Sequence, residues 1–124
     1  MTDMTHPPKP KSIEELRAAL RQFAAERDWD QFHSPKNLAM ALSVEAAELL
    51  EIFQWMPDAE STALGPDKKA KARQEIADVL LYLIRLADKL DIDLAAAAVE
   101  KIGLNAARYP ADKVRGSSRK YTEY

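Results

Sequence analysis

Between residues 12 and 110, apolar side chains recur at intervals of three and four, and proline or short polar runs divide them into segments. This pattern predicts four helices joined by short loops. Ser12 followed by Glu15 forms a capping box that opens the first helix, which runs to about Arg27 with Ile13, Leu16, Leu20, Phe23 and Ala24 on its inner face. The stretch Asp28 to His33 (Asp-Trp-Asp-Gln-Phe-His) breaks the period and reads as an ordered loop. Ser34 and Pro35 then stand where an N-cap and a first-turn proline belong, so a second helix is expected from there to about Trp55, stopped by Pro57. Residues 57–67 read as a loop, with Asp67 as the expected cap of a third helix ending near Leu90. Ile76, Val79, Leu80, Leu83, Ile84 and Ala87 give that helix its apolar stripe. After a break at Asp91 to Asp93, Asp93 is placed to cap a fourth helix that reaches Arg108, before Pro110. All seven prolines fall outside the proposed helix interiors, which is what helical packing requires.

The fold class expected is therefore all-α, with a helical domain over residues 12–110. Residues 1–11, polar and rich in proline, read as a flexible tail, and residues 111–124 as a basic, irregular one. The third helix is apolar beyond its main stripe, at Leu81, Tyr82 and Leu86. A small lone bundle would leave part of that surface wet, so a homo-oligomer is expected.

Composition narrows the function classes. A net charge of −2 gives no bulk attraction to nucleic acid or anionic membranes, and no window is long and apolar enough for a membrane span. The chain has no cysteine, which excludes disulfides and thiolate metal sites. No apolar leader stands at the start, so a cytoplasmic protein is expected.

The remaining chemistry is acidic. Glu45 and Glu48 stand three apart on the second helix, and Glu75 and Asp78 three apart on the third. Such pairs are common on solvated helix faces, but the context here is unusual. From Leu38 to Phe53 the charged residues are Glu45, Glu48 and Glu51 alone, and from Ile76 to Leu86 only Asp78 and Arg85. Like charges at this spacing destabilise a helix by roughly 0.2–0.5 kcal/mol per pair. Beside apolar surface they cost more unless a cation compensates. A hard divalent ion with oxygen ligands answers that need, and Mg²⁺ suits a site of few carboxylates completed by water and phosphate. Zinc lacks cysteine or suitably spaced histidine. A di-iron bundle lacks its Glu-x-x-His pairs, since neither His6 nor His33 has a glutamate three residues before it.

The Glu-x2-Glu and Glu-x2-Asp pairs on consecutive helices resemble the MazG-like branch of the all-α nucleoside triphosphate pyrophosphohydrolases. The likeness is closer still to its dCTP pyrophosphatase group. It is carried by Phe23 to Trp29, Gln31-Phe32-His33, Phe53-Gln54-Trp55, Asp78-Val79-Leu80 with Tyr82, Arg108-Tyr109-Pro110 and Arg115 to Tyr121. The resemblance implies a four-helix MazG-like bundle assembled as a dimer of dimers, and hydrolysis of a dNTP to the monophosphate and pyrophosphate. It implies Mg²⁺ on the four acids, and a nucleoside pocket of Trp29, Asp30, Gln31, Phe32, His33, Trp55 and Tyr82. Leu20 is a departure: relatives carry a histidine on the first helix near the base, so preference for cytosine is left open.

The residues themselves are compatible with that expectation. Trp55 lies seven positions after Glu48 and Tyr82 four after Asp78, so each aromatic shares a helix face with an acid and could stack on a base. Lys101, Asn105 and Arg108 fall on one stripe of the fourth helix and are candidates to meet phosphate, as is Arg115 in the tail, near Arg119 and Lys120. Among the acids, Glu48 is the candidate to orient or deprotonate an attacking water. Two other readings stand beside this one: a broad dNTP pyrophosphatase not selective for cytosine, and a non-enzymatic oligomerisation or adaptor module that uses the acids as a solvated face.

Overall fold

The computed structural model describes residues 12–118, 120 and 122, and all its regular structure is helical. The proposed flexible tail at residues 1–11 and Arg119 lie outside the described residues. Helix α1 spans Ile13–Glu26, and Ser12 caps it by accepting the Glu15 N–H at 3.1 Å. Asp28, at φ 53°, ends it in the left-handed region that Asp tolerates better than most residues. Helix α2 spans Pro35–Phe53, capped by the Ser34 hydroxyl on the Asn37 N–H at 3.1 Å. Helix α4 spans Pro66–Lys89, and α5 spans Leu94–Arg108, capped by Asp93 on the Ala96 N–H at 3.0 Å. The four long helices predicted from the spacing are all present.

Two short helices were not predicted: α3 (Asp58–Ser61) and α6 (Ala111–Val114). Pro57 and Pro110, read as stops, are also the N-caps of these turns. A single turn of four residues is too brief for a period to register. The expected cap Asp67 is a further correction. Gly65 is the cap and Pro66 the first helical residue, because a proline ring presets the φ that the first turn needs, which leaves Asp67 inside that turn. In the loop after α1, Asp30–Phe32 winds into a 3₁₀ turn.

The chain divides into two compact units, Met1–Asp91 and Ile92–Tyr124. In the first, α4 packs chiefly on α2 and next on α1. Ala24, Leu38, Ala72, Ile84 and Ala87 are its buried apolar residues. Burying Leu38 and Ile84 stabilises this packing by about 1.5–3 kcal/mol each. The loop beyond α1 is held by the Trp29 N–H on the Ala24 carbonyl at 2.9 Å and by an edge contact of the Trp29 ring with Phe23, centroids 5.7 Å apart. In the second unit, Val99, Ile102 and Leu104 of α5 are exposed, as are Ile76, Leu80 and Leu83 of α4 in the first. No helix among the described residues is long and apolar enough to cross a membrane.

Candidate metal centre and adjoining cavity

The packing of α4 on α2 brings the two acidic pairs to one place. Glu45, Glu48 and Glu75 each offer an oxygen, and these atoms lie within 4.8 Å of one another. Asp78 stands outside that closest set but near enough for its charge to act on Glu45. Glu45, Glu75 and Asp78 are half-buried, whereas Glu48 is exposed. Burial pushes the Glu45 carboxyl up to about 7, reinforced by its contacts with Glu75 and Glu48 and by the charges of Glu48 and Asp78.

One oxygen of Glu45 and one of Glu75 are buried without a hydrogen-bond partner among the described residues. Ion pairs among the described residues involve other acids. Orphaned buried acceptors of like charge are costly, and these two belong to carboxylates that converge from α2 and α4. An oxygen-preferring divalent cation fits this donor set on its chemistry: three convergent carboxylate oxygens, a fourth acid nearby, and no nitrogen or sulfur ligand in the group among the described residues.

Asp78 also lines a cavity of about 240 Å³, shared with Leu20, Phe23, Trp29, His33, Tyr82 and Arg85 among others. The walls are largely apolar and aromatic, and the volume suits one heterocycle more than an extended ligand. Through Asp78 the carboxylate cluster and the aromatic cavity are contiguous.

The proposed pocket residues separate into groups. Trp29, His33 and Tyr82 line the cavity. Asp30 does not; it accepts from Arg85 at 2.5 Å and from Lys89, which ties the loop to α4. Gln31 turns its amide back onto the Asp28 carbonyl and carboxylate at 3.0 Å, and Phe32 is exposed, its carbonyl accepting from Asn37 at 3.0 Å. Trp55 is 88% exposed and lines a different groove, with Glu51, Met56, Lys68 and Lys71 among its neighbours. Lys101 and Asn105 lie on α5, in the second unit.

Arg85 is a functional candidate that sequence reasoning passed over. It is a buried charged residue, 6% exposed, and Asp88 beside it takes a bidentate pair from Arg21 at 2.7 and 2.5 Å. The signal was present: a lone arginine in the run Ile76 to Leu86 must find acceptors if that run is buried.

A profile of the MazG-like family matches residues 40–124, more than half of the chain. The chain belongs to the MazG-like family. Among its relatives is human dCTP pyrophosphatase 1, 48% identical over 118 residues, which are 94% of this chain and 69% of that protein. The dCTP pyrophosphatase 1 of Rattus norvegicus is 46% identical with the same coverage, and that of Bos taurus 45% identical over 90% of this chain and 68% of its own. Among solved structures, a pyrophosphatase from Archaeoglobus fulgidus superposes with a TM-score of 0.75 at 40% identity, covering 85% of this chain and 98% of that one. The matched region of this MazG-like chain includes all four acids and Tyr82, while the Trp29 to His33 loop enters through the longer alignments.

Proposed function

We propose that this MazG-like protein hydrolyses dCTP, or a base-modified dCTP, to the monophosphate and pyrophosphate, as a Mg²⁺-dependent house-cleaning enzyme of the cytoplasmic nucleotide pool. The enzyme class, a nucleoside triphosphate pyrophosphohydrolase, rests on relatives of 45–48% identity over most of the chain. The observation that carries the reading is the contiguity of the two halves of the site. A carboxylate cluster with two orphaned buried oxygens meets an aromatic cavity at Asp78, as a triphosphate bearing a base would need.

Glu45, Glu48, Glu75 and Asp78 would hold the cation. When bound, it supplies Lewis-acid stabilisation to charge on the phosphoryl oxygens. Trp29 and Tyr82 stack on the base, and His33 faces its polar edge. Glu48, the exposed acid of the four, orients a water and takes its proton as the water oxygen bonds to the α-phosphorus. The bond from that phosphorus to the bridging oxygen breaks, and pyrophosphate leaves with the electron pair. Trp55, Gln31 and Phe32 are assigned to the rim of the nucleoside site. Asp30 acts through its ties to Arg85 and Lys89, which hold the loop.

Assembly into a dimer of dimers accounts for the apolar residues that the single chain leaves uncovered, notably Val99 at 71% and Ile102 at 68% exposure. A second reading, a broad dNTP pyrophosphatase, is favoured by one observation: Leu20 lines the cavity and offers a base no hydrogen bond.

Pyrophosphate release measured over the four dNTPs and 5-methyl-dCTP, with and without Mg²⁺, decides between them. The expected result is Mg²⁺-dependent turnover with the highest kcat/KM for dCTP or its methylated form. Equal values across bases establish the broad enzyme, and stepwise release of orthophosphate overturns the reaction class.

A further inference from the structure

Every nitrogen of the Arg85 guanidinium is committed. Nε donates to Nδ1 of His33 at 3.1 Å, one terminal nitrogen donates to Asp30 at 2.5 Å, and the other lies 3.6 Å from Asp88. A guanidinium carries only donors and does not lose its proton in a protein. The histidine nitrogen that it meets must therefore present a lone pair. With Nδ1 an acceptor, the one N–H of the neutral ring is at Nε2. Burial, then the positive charges of Arg85 and Lys89, hold His33 below its usual range, with Asp30 opposing. The ring is thus kept neutral as well as in one tautomer.

We infer that Arg85 is a positioning residue that fixes His33 as the Nε2–H tautomer, so that the cavity beside Asp78 recognises a heterocycle through a hydrogen-bond donor. The inference rests on the nucleotide reading for the identity of the heterocycle, and on geometry alone for the tautomer. A donor here suits a ring with a lone pair at its edge. Cytosine presents a lone pair at N3 where thymine carries a proton; both bases offer O2, so the choice turns on N3. A proton on Nδ1 instead would leave Nε2 an acceptor and favour the opposite choice. Leu20 supplies no polar atom to the same cavity, and among its polar residues His33 is the one whose donor Arg85 sets.

The sequence makes the test clean, because His6 and His33 are its only histidines. In the full chain labelled with ¹⁵N-histidine, long-range proton–nitrogen correlations distinguish the two tautomers. The expected result is His33 as Nε2–H, with His6 as an internal reference. In Arg85→Met, the His33 ring should shift to mixed tautomers. The ratio of kcat/KM for dCTP over dTTP should fall by about tenfold, carried by KM more than kcat. Should Arg85→Met fail to fold, His33→Phe removes the donor directly and should reduce the same ratio. A wild-type His33 protonated at Nδ1, or a tautomer balance unmoved in folded Arg85→Met, overturns the positioning role. An unchanged dCTP/dTTP ratio in His33→Phe overturns the part assigned to base choice. A protein that hydrolyses no dNTP but shows the Arg85-dependent tautomer refutes the nucleotide reading and leaves the positioning intact.

Discussion

The acids around Glu45 and the ionic network around Arg85 both draw on α4, yet they are balanced in opposite ways. In the network, Asp30 and Asp88 meet Arg21, Arg85 and Lys89, and the buried charge of Arg85 is answered on several sides. Hydrogen bonds from Lys89 and Arg85 hold the Asp30 carboxyl below its usual range, and the bidentate pair from Arg21 does the same for Asp88. In the acid cluster the shift is the reverse, with Glu45 pushed up to about 7 and two oxygens left without partners. A buried ionic group that closes on itself serves architecture. One that leaves charge of a single sign unanswered is unfavourable to the bare fold and is resolved by something outside the chain.

The largest effect should come from the unbalanced group. Glu48→Gln and Asp78→Asn are each expected to lower pyrophosphate release by about 10²-fold or more, with the circular dichroism of the helices unchanged. Retained turnover in both would merge the two regions into one structural class. The next effect belongs to the balanced group. Asp88→Ala strips a buried partner from Arg85 and should cost about 3 kcal/mol of unfolding free energy in denaturant titration, equally with and without Mg²⁺. A loss that Mg²⁺ repairs would mean the two groups are coupled.

A change of opposite sign sharpens the contrast. Glu75→Gln removes a like charge beside Glu45 and should raise the thermal midpoint of the protein in EDTA. The pH profile follows from the same group. Because the folded carboxyl of Glu45 lies near 7 and its ordinary value is 4.5, its contribution to stability is fully present below 4.5 and lost as the pH rises through about 7. Thermal unfolding in EDTA from pH 5 to 8 should show that decline, and Glu45→Gln should flatten it. The smallest effect is expected at the rim of the network: Asp30 is 60% exposed and screened by solvent, so Asp30→Asn should move the denaturant midpoint less than Asp88→Ala does.

The helices and most of their caps were legible because their signals are local. Ser12, Ser34 and Asp93 each sit within three residues of the N–H they satisfy. The acid cluster was legible because paired spacing on two apolar helices leaves few ways to compensate it. What escaped was of two kinds. The turns at Asp58–Ser61 and Ala111–Val114 are shorter than any repeat that could announce them. The partners of Asp30 and His33 lie more than fifty residues away on α4, and no local pattern encodes such a meeting. The resemblance implies the whole of Trp29 to His33 in the nucleoside pocket, and the residues that line the cavity are its two ends, Trp29 and His33.

On the proposed function, α2 and α4 together hold a divalent cation on otherwise unanswered carboxylates. Calorimetric titration of Mg²⁺ near pH 7, repeated in buffers of different ionisation enthalpy, tests it directly, since a carboxyl poised near 7 must give up its proton when the ion binds. Saturable binding with proton release is expected in the wild-type protein, with loss of that release in Glu45→Gln and weakened binding in Glu75→Gln. Absence of binding, or binding indifferent to both substitutions, would contradict it.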